Sequence, residues 1–166
     1  VTVGERVGVL YDALCDDSAC MALLEYIEAG QTLPTHDGLV RGVPGATFDA
    51  IRGPRHEALA LHRTPAEQSN SSVIYGDRMI LKLFRRQEPG LNPDSEIGRY
   101  LTERAGFGHV PPFAGTIEYD RNGSSATLAL LQGLVKSEGD GWTAALEELS
   151  RYYEAWVPKP FPTRTP

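Results

Sequence analysis

The chain has 166 residues, 41% of them apolar, and 22 acidic against 16 basic side chains give it a formal charge of −6. That length matches one domain of ~100–200 residues, and the apolar share is enough for a core, which argues against a disordered tail. The acidic balance argues against nucleic acid or an anionic membrane as the main partner, because both select a basic face.

No apolar run approaches the ~20 residues of a membrane helix, and the N-terminus lacks the basic segment and apolar stretch of a signal peptide, so the expected location is the cytoplasm. In residues 1–57 the run Val7 to Tyr11 precedes Asp16-Asp17, which can cap a helix with Cys20, Leu23, Leu24 and Ile27 on one face and Gly30 at its end. Cys15 and Cys20 point to different faces of that helix, which disfavours a disulfide or a metal pair and leaves them as buried or partly buried thiols. A turn-rich stretch follows, with Pro34, Asp37-Gly38 and Pro44-Gly45 around two short apolar runs, Leu39 to Val43 and Ala46 to Ile51. Gly53-Pro54 closes this first region.

From residue 58 the pattern is that of strands: Leu59 to Arg63, Ser72 to Tyr75 and Met79 to Phe84, the last two joined by Gly76-Asp77-Arg78. The next helix is capped by Asn92, has Pro93 at its first position, carries Ile97 and Leu101 on one face, and ends at Gly106. Two further strands, Thr116 to Tyr119 and Thr127 to Leu131, flank an Asn122-Gly123 hairpin turn. After Leu131 a polar turn leads into a helix bearing Trp142, Leu146, Leu149 and Tyr153. Residues 156–166 carry four prolines and read as an extended tail. The expected fold class is α+β: an N-terminal cap region at 1–57, a five-stranded antiparallel sheet with one helix at 58–135, a following helix at 136–155, and the tail.

Lys82 stands in the middle of the apolar strand Met79 to Phe84. Burying an ammonium without a partner costs several kcal/mol or neutralises it, so this lysine needs an anion. Two are available: Glu96, on the following helix, and a phosphate held by the polar turn Gln68-Ser69-Asn70-Ser71-Ser72. A lysine on the third strand, paired with a helix glutamate and placed to meet nucleotide phosphates, is the arrangement of a kinase small lobe. Taken without that context, Lys82 would be an edge-strand lysine with its head in water, and Glu96 a helix-surface charge. Arg85-Arg86 reads as a solvated strand end. His109 reads as a structural residue of the loop before Val110-Pro111-Pro112.

At the level of whole blocks the chain resembles the bacterial maltokinases. The resemblance lies in Glu67 to Asp77, Leu81 to Arg86, Asn92-Pro93-Asp94, Glu96 to Glu103, His109 to Pro112, Leu131-Gln132-Gly133 and Gly139 to Trp142. Residues 1–57 resemble, less sharply, the cap of that family in the form fused behind trehalose synthase. The resemblance implies an aminoglycoside-phosphotransferase-like kinase that moves the γ-phosphate of ATP to the anomeric hydroxyl of maltose, feeding α-glucan synthesis. It implies that Gln68, Ser69, Asn70, Ser71 and Ser72 form the phosphate loop, that Lys82 binds phosphates and Glu96 orients it. It further implies that Gln132, Gly133, Leu134 and Val135 are the hinge beside adenine, and that trehalose synthase is a candidate partner. The phosphate loop lacks glycine and matches neither the Walker pattern nor the glycine-rich kinase loop.

The family's His-Gly-Asp catalytic block and its magnesium-binding aspartate do not occur; His36-Asp37-Gly38 has a different order and reads as a turn. No catalytic or metal-binding residue is therefore assigned, and magnesium is expected only with a further lobe. The chain resembles an N-terminal fragment or a shortened relative, and a non-catalytic nucleotide-binding or docking module is the alternative. Trp142 would pack the start of the large lobe, or stack on sugar.

Overall fold

The computed structural model describes residues 1–64, 70–137, 139 and 141–157. Two compact units divide between Leu134 and Val135. In the first, a short hairpin of β1 (Thr2–Val3) and β2 (Arg6–Val7) precedes helix α1 (Asp17–Glu28), strands β3 (Thr32–Pro34) and β4 (Leu39–Pro44), and the short helix α2 (Phe48–Arg52). Strands β5 (Leu61–Arg63), β6 (Asn70–Tyr75) and β7 (Met79–Phe84) follow, then helix α3 (Pro93–Glu103) and strands β8 (Phe113–Arg121) and β9 (Ser124–Gly133). The second unit contains helix α4 (Gly141–Trp156).

The expected five-stranded sheet with one helix is corrected. Among the described residues the main sheet has seven strands, in the order β3-β4-β8-β9-β7-β6-β5, every neighbouring pair antiparallel, and there are four α-helices. The five strands expected after residue 58 are present, and β3 and β4 from the preceding region extend the same sheet along β8, from Leu39↔Asp120 to Pro44↔Gly115. β3 spans three exposed residues, too few to show an alternating pattern, and the partner of β4 lies some eighty residues along the chain. Neither feature is visible to local periodicity. The run Ala46 to Ile51 contributes to α2.

α1 forms where the sequence places it. The Asp16 carboxylate caps it by accepting from the Ser18 and Ala19 amides, and Gly30 reverses the chain with φ 59°. Cys20, Leu24 and Ile27 are buried against one face of the sheet, where Val73, Tyr75, Met79, Leu81, Ile117, Ala129 and Leu131 make the core. Each fully buried Leu or Ile contributes about 1.5–3 kcal/mol. The Tyr75 hydroxyl donates to the Cys20 carbonyl at 2.7 Å, and burial, then the neighbouring Cys20, pushes its phenol upward. Both cysteines are free, Cys15 exposed and Cys20 buried.

The cap carries a pH signature. The Ser18 hydroxyl, then the Ala19 and Ser18 amides, hold the Asp16 carboxyl below its usual value. A lowered folded-state pKa means that the contribution is fully present above the unfolded carboxylate range and is lost as pH falls through the folded value. Asp16→Ala should therefore lower stability near neutral pH and change it little at about pH 2, below the ordinary carboxylate range. Urea melts at the two pH values check this, and an equal effect at both would remove the capping explanation.

α3 packs on the opposite face. Asn92 caps it by accepting from the Asp94 amide, and Pro93 occupies its first turn. The expectation that Ile97 packs inward is corrected: Ile97 is 57% exposed, and the helix turns Ser95 and Thr102 inward. Thr102 accepts from the Phe113 amide and Arg99 lies over the Phe113 ring. The sheet face below is mixed, with Thr116, Glu118 and Thr127 buried beside Leu130.

Candidate functional site

Alternation along the strands decides what each face presents. Leu81 belongs to the core, so Lys82 points to the other face, the one covered in part by α3. There the ladder sets Lys82 directly opposite Ser72 on β6 and Leu130 on β9, and Leu130 opposite Thr116 on β8. Asn70 pairs with Phe84 and Gln132 with Ile80 on the same face. Asn70, Ser72, Lys82 and Gln132, drawn from three strands, are thus gathered on one surface.

The remaining candidates are distributed differently. Ser71 opposes Leu83 on the core side of the ladder, and its hydroxyl accepts from Arg85 Nε at 3.0 Å. Gly133 ends β9, and the Leu134 amide donates to the Arg78 carbonyl at 2.7 Å. Val135 begins the second unit and is exposed. Gln68 and Ser69 lie outside the described residues, as does the expected tail from residue 158 onward.

Lys82 is half-buried and makes no ion pair or hydrogen bond among the described residues. The expected pair with Glu96 is therefore not formed in this structure. Glu96 is exposed and lines a groove of about 240 Å³ between α3 and β8, with Tyr100, Glu103, Arg104 and Glu118. The premise that demanded the pair was full burial of the ammonium; a half-buried lysine keeps its head in water while its methylenes cover apolar surface. The Ser72 hydroxyl is the polar group left over: it is buried and has no hydrogen-bond partner in the structure.

Glu118 and Thr116 were not foreseen. The Thr116 hydroxyl donates to Glu118 Oε1 at 2.9 Å, while Arg41 stands 3.6 Å from the other carboxylate oxygen and 2.7 Å from Asp120. The signal was the alternation Thr116-Ile117-Glu118, whose polar members are legible as one face once that face is known to be covered. Beside them, burial pushes the Glu103 carboxyl up, but the Ala46 amide and Arg99 outweigh it and hold the group below the usual range. The Ala46 bond, 3.0 Å, fastens the end of α3 to the loop before α2, while the Arg99 bond, also 3.0 Å, lies within α3.

A second cavity, of about 490 Å³, lies where β6, β7 and the start of α3 converge; Asn70, Phe84, Arg86, Asn92 and Thr127 are among its walls. Its chemistry is mixed, since Arg86 is 3.3 Å from Glu88 and Asp94 adds another carboxylate. Among the described residues no group of three or more His, Cys, Asp or Glu side chains is placed to hold a metal ion, and no helix is long and apolar enough to cross a membrane. No protein-family model matches the chain.

Proposed function

We propose that this chain is the nucleotide-holding part of a maltokinase-like enzyme, which phosphorylates maltose with ATP to give maltose 1-phosphate in the cytoplasm. The observation that carries the reading is the surface on which Lys82, Ser72, Asn70 and Gln132 meet. A lysine without an anion partner among the described residues stands beside a buried hydroxyl without a partner, on the side of the sheet that also receives α3. An ammonium and small polar groups on a rigid sheet suit the α- and β-phosphates of ATP, with Asn70 and Ser72 beside them and Gln132 to Val135 beside the adenine.

In this proposal Glu96 remains the carboxylate that orients Lys82, and its place in the groove beside β8 defines the movement it would have to make. Magnesium, maltose and trehalose synthase as a partner belong to the complete enzyme. The strand sequence adds support: three consecutive antiparallel strands, a helix and two further strands join in one sheet.

Titration of the chain with ATP by calorimetry tests the reading. Saturable binding that ADP competes for, and adenosine competes for more weakly, is the expected result; absence of any binding at millimolar ATP would sink the proposal. The same preparation should release no ADP with maltose, because the residues assigned hold phosphates and supply neither a base for the acceptor hydroxyl nor metal ligands. Turnover above the protein-free control, lost in Lys82→Ala, would show that the chain carries more of the machinery than is assigned here.

A further inference from the structure

α4 is the most apolar exposed feature of the molecule. Trp142, Leu146, Leu149, Tyr153 and Trp156 recur at alternating spacings of four and three residues, the pattern of a coiled-coil seam, and Trp142 and Leu149 are 74% and 49% exposed. Its charges, Glu147, Glu148, Arg151 and Glu154, lie off that seam, and Arg151 is 2.9 Å from Glu148 and 3.9 Å from Glu147. Helices in proteins are stabilised mainly by packing an apolar face, so exposed Trp142, Leu146 and Leu149 call for a cover.

We propose that the cover is α4 of a second copy of this chain, packed antiparallel. Two observations select that occupant. The positions flanking the seam, Thr143, Ala145, Ser150 and Tyr152, are all uncharged. Charged flanks are what usually direct a coiled-coil helix to a particular foreign partner, and their absence lets two acidic chains meet here without like charges facing each other. The seam also reads nearly the same in both directions, Trp-Leu-Leu-Tyr-Trp. An antiparallel copy therefore sets Leu149 against Leu149, Leu146 beside Tyr153 and Trp142 beside Trp156, which is the self-complementarity a two-fold contact requires. Opposed helix dipoles favour the same direction. This inference goes beyond the nucleotide reading and does not depend on it.

The test uses the full chain with Cys15→Ser, which leaves only the buried Cys20. Sedimentation should give a mass that rises from one chain to two over roughly the micromolar to millimolar range, and Leu149→Glu should hold it at one chain throughout. Mild oxidation of Leu149→Cys should yield a covalent dimer at least about tenfold faster than Glu147→Cys, whose side chain lies off the seam. A monomer at every concentration overturns the proposal, whether the seam is then covered by residues 158–166 or by another protein. So does association that Leu149→Glu leaves unchanged, or crosslinking at equal rates from the two positions. ATP titration of Leu149→Glu should match the parent, which separates failure here from failure of the nucleotide reading.

Discussion

Replacing Gly42 by alanine should cost the fold about 3 kcal/mol, the upper range for forcing extra volume into a packed interior. Gly42 lies on β4 where α1 crosses it, and a Cβ there would stand 2.2 Å from the Tyr26 carbonyl oxygen and 2.9 Å from the Ile27 Cα. Those are backbone atoms, so the contact can be relieved only by moving the helix away from the strand. Moving it would loosen Leu24 and Ile27 in the core and strain the bond between the Gly42 amide and the Gln31 carbonyl, 2.8 Å long. Gly98→Ala is the companion experiment. It lies in α3, a Cβ there meets nothing within 4 Å, and alanine should raise stability by about 0.5–1 kcal/mol through its helix propensity. Urea denaturation of both variants checks the pair. A near-neutral Gly42→Ala would mean that α1 does not press on β4 as described.

Lys82→Ala should weaken ATP binding by at least about tenfold, since hydrogen bonds to a charged group are worth ~1.5–3 kcal/mol each and tenfold corresponds to ~1.4 kcal/mol. Binding of adenosine, which lacks phosphates, should be unaffected by the change. Stability should move by less than about 0.5 kcal/mol, because the side chain is half-buried and has no protein partner among the described residues to lose. That combination separates a ligand-binding lysine from a structural one, whose removal would lower the melting midpoint and leave phosphate discrimination intact. Equal weakening for ATP and adenosine would count against the phosphate role.

The parts of this fold that were legible in the sequence are those whose reasons are local. Asp16 and Asn92 announce helix starts because a capping side chain reaches only two or three residues ahead. Met79 to Phe84 declares a strand because its composition does, and Asn122, with φ 49°, leads the turn that Asn-Gly predicts. What remained hidden depends on distant partners. β3 and β4 become part of the main sheet through pairing with β8, a relation no nearby residue encodes. The inward turn of Ser95 and outward turn of Ile97 accompany the buried polar groups that two strands, β8 and β9, place on that sheet face. For the site, the sequence picked out Lys82 and Ser72 but not that they stand directly opposite each other, and it paired Lys82 with Glu96 on the assumption of full burial. Glu118 was passed over because an isolated acidic residue in a strand looks solvated until its covering helix is known.

β5, one of the two edge strands, is held differently from the strands at the centre of the sheet. It is three residues long, hydrogen-bonds to a neighbour on one side, and has Leu61 only partly buried. At its far end Arg63 bonds the Leu14 carbonyl just before α1 and stands 2.6 Å from the Asp17 carboxylate of α1, and the Thr64 amide donates to the Ser72 carbonyl at 3.3 Å. This arrangement is a latch. Releasing Arg63 would free the strand that leads into residues 65–69 while Lys82 and the core beneath it, held by β6, β7 and β9, stay fixed. Opening at this edge is thereby uncoupled from global unfolding, so the amides of β5 should exchange with solvent well before those of β7, which is paired on both sides.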